Sequence, residues 1–220
     1  MRPVLAVAAC GPRLEVALAA GSGPPGVVAL AGPTPRSELV MAAVDLLLRA
    51  AGLDRNSLEG VVASRGPGSF TGVRVALATA QGLSMALGVP AHGYSSLLAQ
   101  AARTDAPECT AVQPARRGFA YAQTYARRGG RPVATGEAQV VPLGELAGAR
   151  APVVAPPGIA LEPGTPLAPV SRTAAEALLA LFADEESPDP TSLTPMYLEP
   201  APAKPPTRNA TPCPPSRTDT

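Results

Sequence analysis

Apolar residues along this chain fall first into short runs and then into long helical repeats. Val4 to Ala9, Leu14 to Ala19 and Val27 to Ala31 are apolar runs separated by Gly-Pro or Gly-rich turns, which predicts three consecutive antiparallel strands. From about Ser37 to Ala51 the spacing becomes helical, with Glu38 in the first turn, Arg49 in the last and Gly52 as the stop. Val61 to Ser64 reads as a strand that enters a glycine-dense turn, and a second helix runs from about Thr71 to Leu87, ending at Gly88 before Pro90.

Both helices carry apolar residues on more than one side. On the second, Val73, Leu77, Ala80 and Leu87 lie along one stripe while Val75, Ala76, Thr79, Leu83 and Ala86 cover another, so a single sheet beneath could bury only part of the surface. Leu39, Val40, Ala43, Val44, Leu47 and Leu48 give the first helix the same character. Small residues such as Gly72, Ala76, Ala80 and Gly82 allow close helix approach. Two explanations stand open: a core covered on both sides, or a surface that meets a partner.

The second half follows a looser plan. Thr110 to Gln113, Phe119 to Ala126 and Ala138 to Val141 read as strands, with Arg127 to Arg131 as a hairpin turn, then a short strand Val153 to Ala155 and a helix from about Thr173 to Ala183. Strands and helices in this order predict an α/β protein made of two copies of one mixed unit, the second degraded. From Pro200 onward prolines and small polar residues dominate, which predicts a disordered tail, with a proline-motif ligand as the other reading.

Composition narrows the function classes. The 220 residues, 46% of them apolar, can bury the core of one large or two small domains, and a net charge of +1 supplies no basic field for tracking nucleic acid unaided. Cys10, Cys109 and Cys213 share no CxxC spacing, so neither a zinc site nor a disulfide framework is expected. No window is long and apolar enough for a membrane span, and MRPVLAVAACG suits a strand better than a signal peptide; the expected location is cytoplasmic.

Candidate chemistry concentrates in SRGPGSFTGVR, where Gly66, Gly68 and Gly72 permit close backbone approach and Ser69 or Thr71 can cap the following helix. A helix start built this way offers N–H groups to an anion, which makes Gly66, Gly68, Ser69, Thr71 and Arg74 the candidate phosphate-binding residues. No Walker A is present, because Gly72 is followed by Val73 and Arg74 rather than Lys-Ser/Thr. A tight strand-to-helix turn explains the glycines without any ligand. His92 is the single histidine, without a second ligand at i+4, and reads as a loop residue; Ser69 as a nucleophile has no base paired with an acid.

The run GPGSFTGVR followed by AQGL resembles the signature of the TsaB family, also called YeaZ, a bacterial family of the universal tRNA-modification pathway. The resemblance continues in SELVMAAVDLLLRAAGL, ARRGFAYAQTY and TPMYLEP, and so spans roughly residues 1 to 200. It implies two ribonuclease-H-like halves of the actin, hexokinase and Hsp70 superfamily, at residues 1–97 and 98–199, with the tail at 200–220. It also implies a non-catalytic subunit without cofactor or metal, pairing with the catalytic TsaD subunit and with the TsaE ATPase in threonylcarbamoyl modification of tRNA. The tRNA is met only through that complex, and a homodimer forms when TsaD is absent. Under the resemblance the paired surface comprises Leu39, Val40, Ala43, Val44 and Leu47 on the first helix and Val73, Ala76, Leu77, Ala80, Leu83 and Leu87 on the second.

Departures from the family pattern remove polar groups. Val7, Ala8 and Ala9 stand where Leu-Asp-Thr is usual, Arg36 where a histidine precedes Ser-Glu, Pro114 where an aspartate precedes Ala-Arg-Arg, and Glu199 where an arginine follows Tyr-Leu. Two alternatives remain: an independent nucleotide-binding protein, and a glycoprotease-like metallopeptidase.

Overall fold

The computed structural model describes residues 2–183 and 193–199. Strands β1 (Val4–Ala8), β2 (Leu14–Ala19) and β3 (Gly26–Leu30) lead into helix α1 (Arg36–Ala50), strand β4 (Gly60–Ser64), helix α2 (Phe70–Leu87) and strand β5 (Ala91–Tyr94). They form a sheet in the order β3-β2-β1-β4-β5. Its first three strands pair antiparallel and β1, β4 and β5 pair parallel, Leu5 lying between Leu18 on one side and Val61 on the other.

Covering both faces of this sheet explains why β1 and β2 are almost continuously apolar. Leu5 and Val7 point to one face and pack with Val44 and Leu47 of α1 and Val73 and Leu77 of α2. Val4, Ala6 and Ala8 point to the other, against Ala175 and Leu178 of helix α4 (Ala174–Ala183). Small side chains on that second face let α4 lie close to the strands.

After the short helix α3 (Ser96–Ala101) come β6 (Glu108–Pro114), β7 (Phe119–Arg128), β8 (Arg131–Ala134), β9 (Gln139–Pro142), a 3-10 segment Leu143–Gly148, and β10 (Val153–Val154), which precedes α4. Parallel β10–β6 and antiparallel β6–β7 repeat the β4-β1-β2 arrangement of the first sheet. The edge beyond β7 is shared, β8 pairing with its Tyr125–Arg128 end and β9 with its Phe119–Ala122 end. Where the first half has α1, the second has only the 3-10 segment, whose Leu146 packs on Val112 and Val153. This is the two-copy α/β architecture of ribonuclease-H-like halves, the second reduced.

The layers run α1/α2, first sheet, α3/α4, second sheet. An expected division at residues 97 and 98 falls inside α3, which serves both cores: Ala99 joins the first sheet, Leu97 and Ala101 the second. Three elements differ from expectation. β5 carries His92 and Gly93, which hide its strand character; His92 sits buried on this edge strand of the first sheet beside the Phe182 ring at 5.2 Å rather than in a loop. The six-residue α3 is shorter than a readable helical period, and β7 runs on to Arg128 so that only Gly129 and Gly130, both at positive φ, make the hairpin turn before β8. The expected tail at 200–220 and Cys213 lie outside the described residues. No helix among the described residues is long and apolar enough to cross a membrane.

Glycine placement gives a direct test of this packing. A Cβ on Gly72 would overlap the carbonyl oxygen of Ala9, whereas Gly82, on the same helix, has open space around it. Gly72→Ala is expected to destabilise the fold by about 3 kcal/mol in urea denaturation. Gly82→Ala should stabilise it by about 0.5–1 kcal/mol through helix propensity.

Candidate functional site

The glycine turn is the hinge between β4 and α2 and it serves the fold itself. Gly66 (φ 103°) and Gly68 (φ 150°) adopt backbone that side chains rarely take, and a Cβ on either would run into a carbonyl oxygen, Met196 for the first and Cys10 for the second. The Gly66–Pro67 bond is cis. Ser69 caps α2, its hydroxyl accepting from the Gly72 N–H at 3.2 Å and its own N–H donating to the Cys10 carbonyl at 2.9 Å. Arg36 donates to the same Ser69 hydroxyl at 3.4 Å and to the Gly11 carbonyl at 2.7 Å.

Beside this turn opens a cleft of about 620 Å3 between the two halves, lined by Cys10, Arg36, Ser69, Arg116, Tyr121 and Glu199 among others. Its acid is already engaged: the Glu199 carboxylate accepts from the Arg116 guanidinium and, at 3.3 Å, from the Tyr121 hydroxyl. Burial, followed by the Glu199 charge and hydrogen bond, raises the Tyr121 pKa, with Arg116 opposing. Ala8 and Ala9 at the end of β1 offer no carboxylate here. Among the described residues no three His, Cys, Asp or Glu side chains come together as a metal-binding group.

Buried charge elsewhere is committed to structure. The Glu15 carboxylate accepts from the Ala174 N–H at 2.7 Å, at the start of α4, where a negative group is favoured. Arg103 donates to Gln100 at 2.7 Å and to the carbonyls of Ala155 and Arg172; burial lowers its pKa and the Glu15 charge works against that.

On the outer face, α1 and α2 diverge and leave an apolar groove of about 1120 Å3. Val40, Val44, Leu48 and Leu58 form its floor, Met41, Val75, Leu83 and Leu87 its walls, and Asp45, Arg55 and Arg74 its charged rim. Met41 is 51% exposed and Met85, on the outer surface of α2, 85%. Arg74 lies flat over the Phe70 ring, 3.8 Å from its centroid, at the groove's end.

The structure divides the expected residues into groups. Val73, Ala76, Leu77 and Ala80 face the chain's own sheet and are buried, as is Ala43; Leu77 is 3% exposed and cannot meet a partner. Leu47 is also buried in that core, and Leu39 packs half-buried against it. Val40, Val44, Leu83 and Leu87 line the groove as well as touching the core. The phosphate candidates do not converge: Gly66 and Gly68 serve backbone approach, Ser69 is a cap, and Thr71 and Arg74 lie on the groove side. Met41, Met85, Phe70 and Arg55 were not singled out by sequence reasoning, although the Val75, Thr79, Leu83 and Ala86 stripe already marked this face of α2.

Comparison with known proteins gives the family and the fold. The family model described as TsaD, tRNA N6-adenosine threonylcarbamoyltransferase, matches residues 34–162. The chain is 31% identical over 99 residues to the Escherichia coli tRNA threonylcarbamoyladenosine biosynthesis protein TsaB, covering 43% of each. A solved structure titled YeaZ from Pseudomonas aeruginosa superposes with TM-score 0.70 at 26% identity, over 90% of this chain and 100% of that one. The chain belongs to the TsaB/YeaZ family. An uncharacterised protein of Mycobacterium tuberculosis shares 36% identity over 160 residues, 72% of each chain, while the match to the E. coli TsaB spans under half that protein's length.

Within this TsaB/YeaZ fold the buried thiols make a pH prediction. Burial raises Cys10 to about 11, partly offset by its hydrogen bond to Ser64, and raises Cys109 to about 11. Both folded values lie above the unfolded one, so their contribution is complete below pH about 9 and is lost as pH rises toward about 11. Urea denaturation of a Cys213→Ser variant is expected to show stability falling across that window, on the order of 2 kcal/mol for Cys10, and neither thiol should react with Ellman's reagent at pH 8 before unfolding.

Proposed function

We propose that this chain works in tRNA threonylcarbamoyladenosine biosynthesis as a non-catalytic subunit that pairs with TsaD through the α1–α2 groove. TsaE joins at their junction and tRNA is reached only through the complex. The observation that carries the reading is the groove: an apolar channel open on the outer layer and lined by exposed Met41, with Met85 exposed on the outer surface of α2. Its helices have 15 and 18 residues. Side by side, at roughly 1.5 Å rise per residue and roughly 10 Å diameter, they present about 500 Å2. That supplies most of the roughly 800 Å2 per partner of a standard interface.

Ridges of a partner helix fit such a channel, and the charged rim fixes its register. The partner gains if burial on this face favours its active arrangement, a population shift set by differential binding. In the absence of TsaD, the same apolar surface pairs two copies of the chain. The cleft supports a silent role, because its acid is held by Arg116 and Tyr121 and Ala8 stands where the family resemblance places an aspartate. A net charge of +1 likewise supports reaching tRNA through a partner rather than alone.

Substitutions on the two faces of the helices separate binding from folding. Met41→Asp and Ala78→Arg, both on exposed groove positions, are expected to weaken TsaD binding at least tenfold, roughly 1.4 kcal/mol, with thermal stability nearly unchanged. Leu77→Asp, aimed into the core, should unfold the chain instead. Undiminished co-purification of TsaD with the groove variants contradicts this interface.

A further inference from the structure

Residues 193–199 lie along the glycine turn. The Met196 N–H donates to the Arg65 carbonyl at 2.7 Å, and the Arg65 guanidinium donates to the Thr194 carbonyl at 3.4 Å. Gly66 has no side chain because the Met196 carbonyl occupies that space. One residue on, the Tyr197 ring packs against the Phe70 ring with centroids 5.2 Å apart. The segment then crosses the mouth of the cleft, where Glu199 engages Arg116 and Tyr121 of the second half. Seven residues therefore bind both halves: main chain and an aromatic ring on the first, a carboxylate on the second.

Phe70 is the point of contact with the groove. It lines the cleft on one side and the groove on the other. Tyr197 rests on it from the strap, and the Arg74 guanidinium stacks over it at the groove's end. Two ring contacts therefore connect the strap to the groove rim.

We infer that residues 193–199 form a charge-latched strap along the cleft that ties the two halves together and holds Phe70 and Arg74 in the arrangement the groove presents to its partner. The latch is the Glu199 carboxylate on Arg116 and Tyr121. Phe70 and Arg74 are positioning residues under this account. The consequence for the partner rests on the pairing with TsaD proposed above; the latch itself does not.

Two readouts on the full 220-residue chain decide it. In the chain alone, hydrogen exchange of the Met196 amide is expected to be about fivefold faster in Glu199→Ala, the scale of one partly exposed ion pair. Amides of β4 should be unchanged. The reversed pair Arg116→Glu with Glu199→Arg should restore protection. Met196 exchange that does not respond to Glu199→Ala, or that the reversed pair fails to restore, overturns the latch. In the second readout, Tyr197→Ala is expected to bind TsaD at least threefold more weakly while Met41 and Leu77 keep their native environment by NMR. Equal affinity of Tyr197→Ala and wild type overturns the coupling to the groove. A wild-type chain that does not bind TsaD overturns the pairing, and the exchange result then decides the latch by itself.

Discussion

Main chain laid on main chain at the glycine turn is the constraint on which this structure depends. Gly72 sits over the Ala9 carbonyl, Gly68 over the Cys10 carbonyl and Gly66 against the Met196 carbonyl, so no residue with a Cβ fits at any of the three. Hydrogen bonds close the same junction, from Ser69 to Cys10, from Ser96 to Gly66 and from Arg65 to Tyr94. The end of β1, the start of α2, the start of α3 and the returning strap are thus joined within one turn. The angle at which α2 leaves the sheet follows from that junction, and with it the shape of the groove against α1.

A second consequence is the sharing of the middle layer. α4 follows the last strand of the second half yet packs on the first sheet, where Ala6, Ala8, Ala17 and Ala19 leave room for it. Helices α3 and α4 lie between the two sheets, whereas the outer faces of α1 and α2 leave Met41, Leu46 and Met85 exposed. Two interior charges are consumed by the same arrangement, Glu15 at the start of α4 and Arg103 on loop carbonyls. Two of the openings that remain are an apolar channel and a cleft whose acid is already paired.

Much of this was legible in the sequence where one physical rule acted alone. Strand runs such as Leu14 to Ala19 and the stop at Gly88, which adopts φ 67°, followed from local signals. The glycine turn was recognisable as well, and its purpose as backbone packing was the simpler of the two readings. The split of the helix faces was not legible, because both stripes of α2 are apolar and periodicity cannot say which one meets the sheet. Val73 and Leu77 went inward while Val75 and Leu83 border the groove, a choice made by the turn and not by hydropathy. Neither could the sequence place Glu199 on Arg116 and Tyr121, contacts that span 83 and 78 residues. β5 was hidden for a different reason, since a buried strand bearing His92 and Gly93 has no apolar run to announce it.

Under the proposed function the outer channel between α1 and α2, rather than the cleft, meets TsaD. Hydroxyl-radical footprinting reads it directly, because Met41 in that channel and Met85 on the outer surface of α2 are exposed thioethers in the single chain and oxidise readily when it is held monomeric by dilution. Mixing with TsaD is predicted to slow oxidation of both severalfold while Tyr121, within the cleft, is unaffected. Oxidation of Met41 and Met85 at the free-chain rate in a complex that has formed would contradict the account.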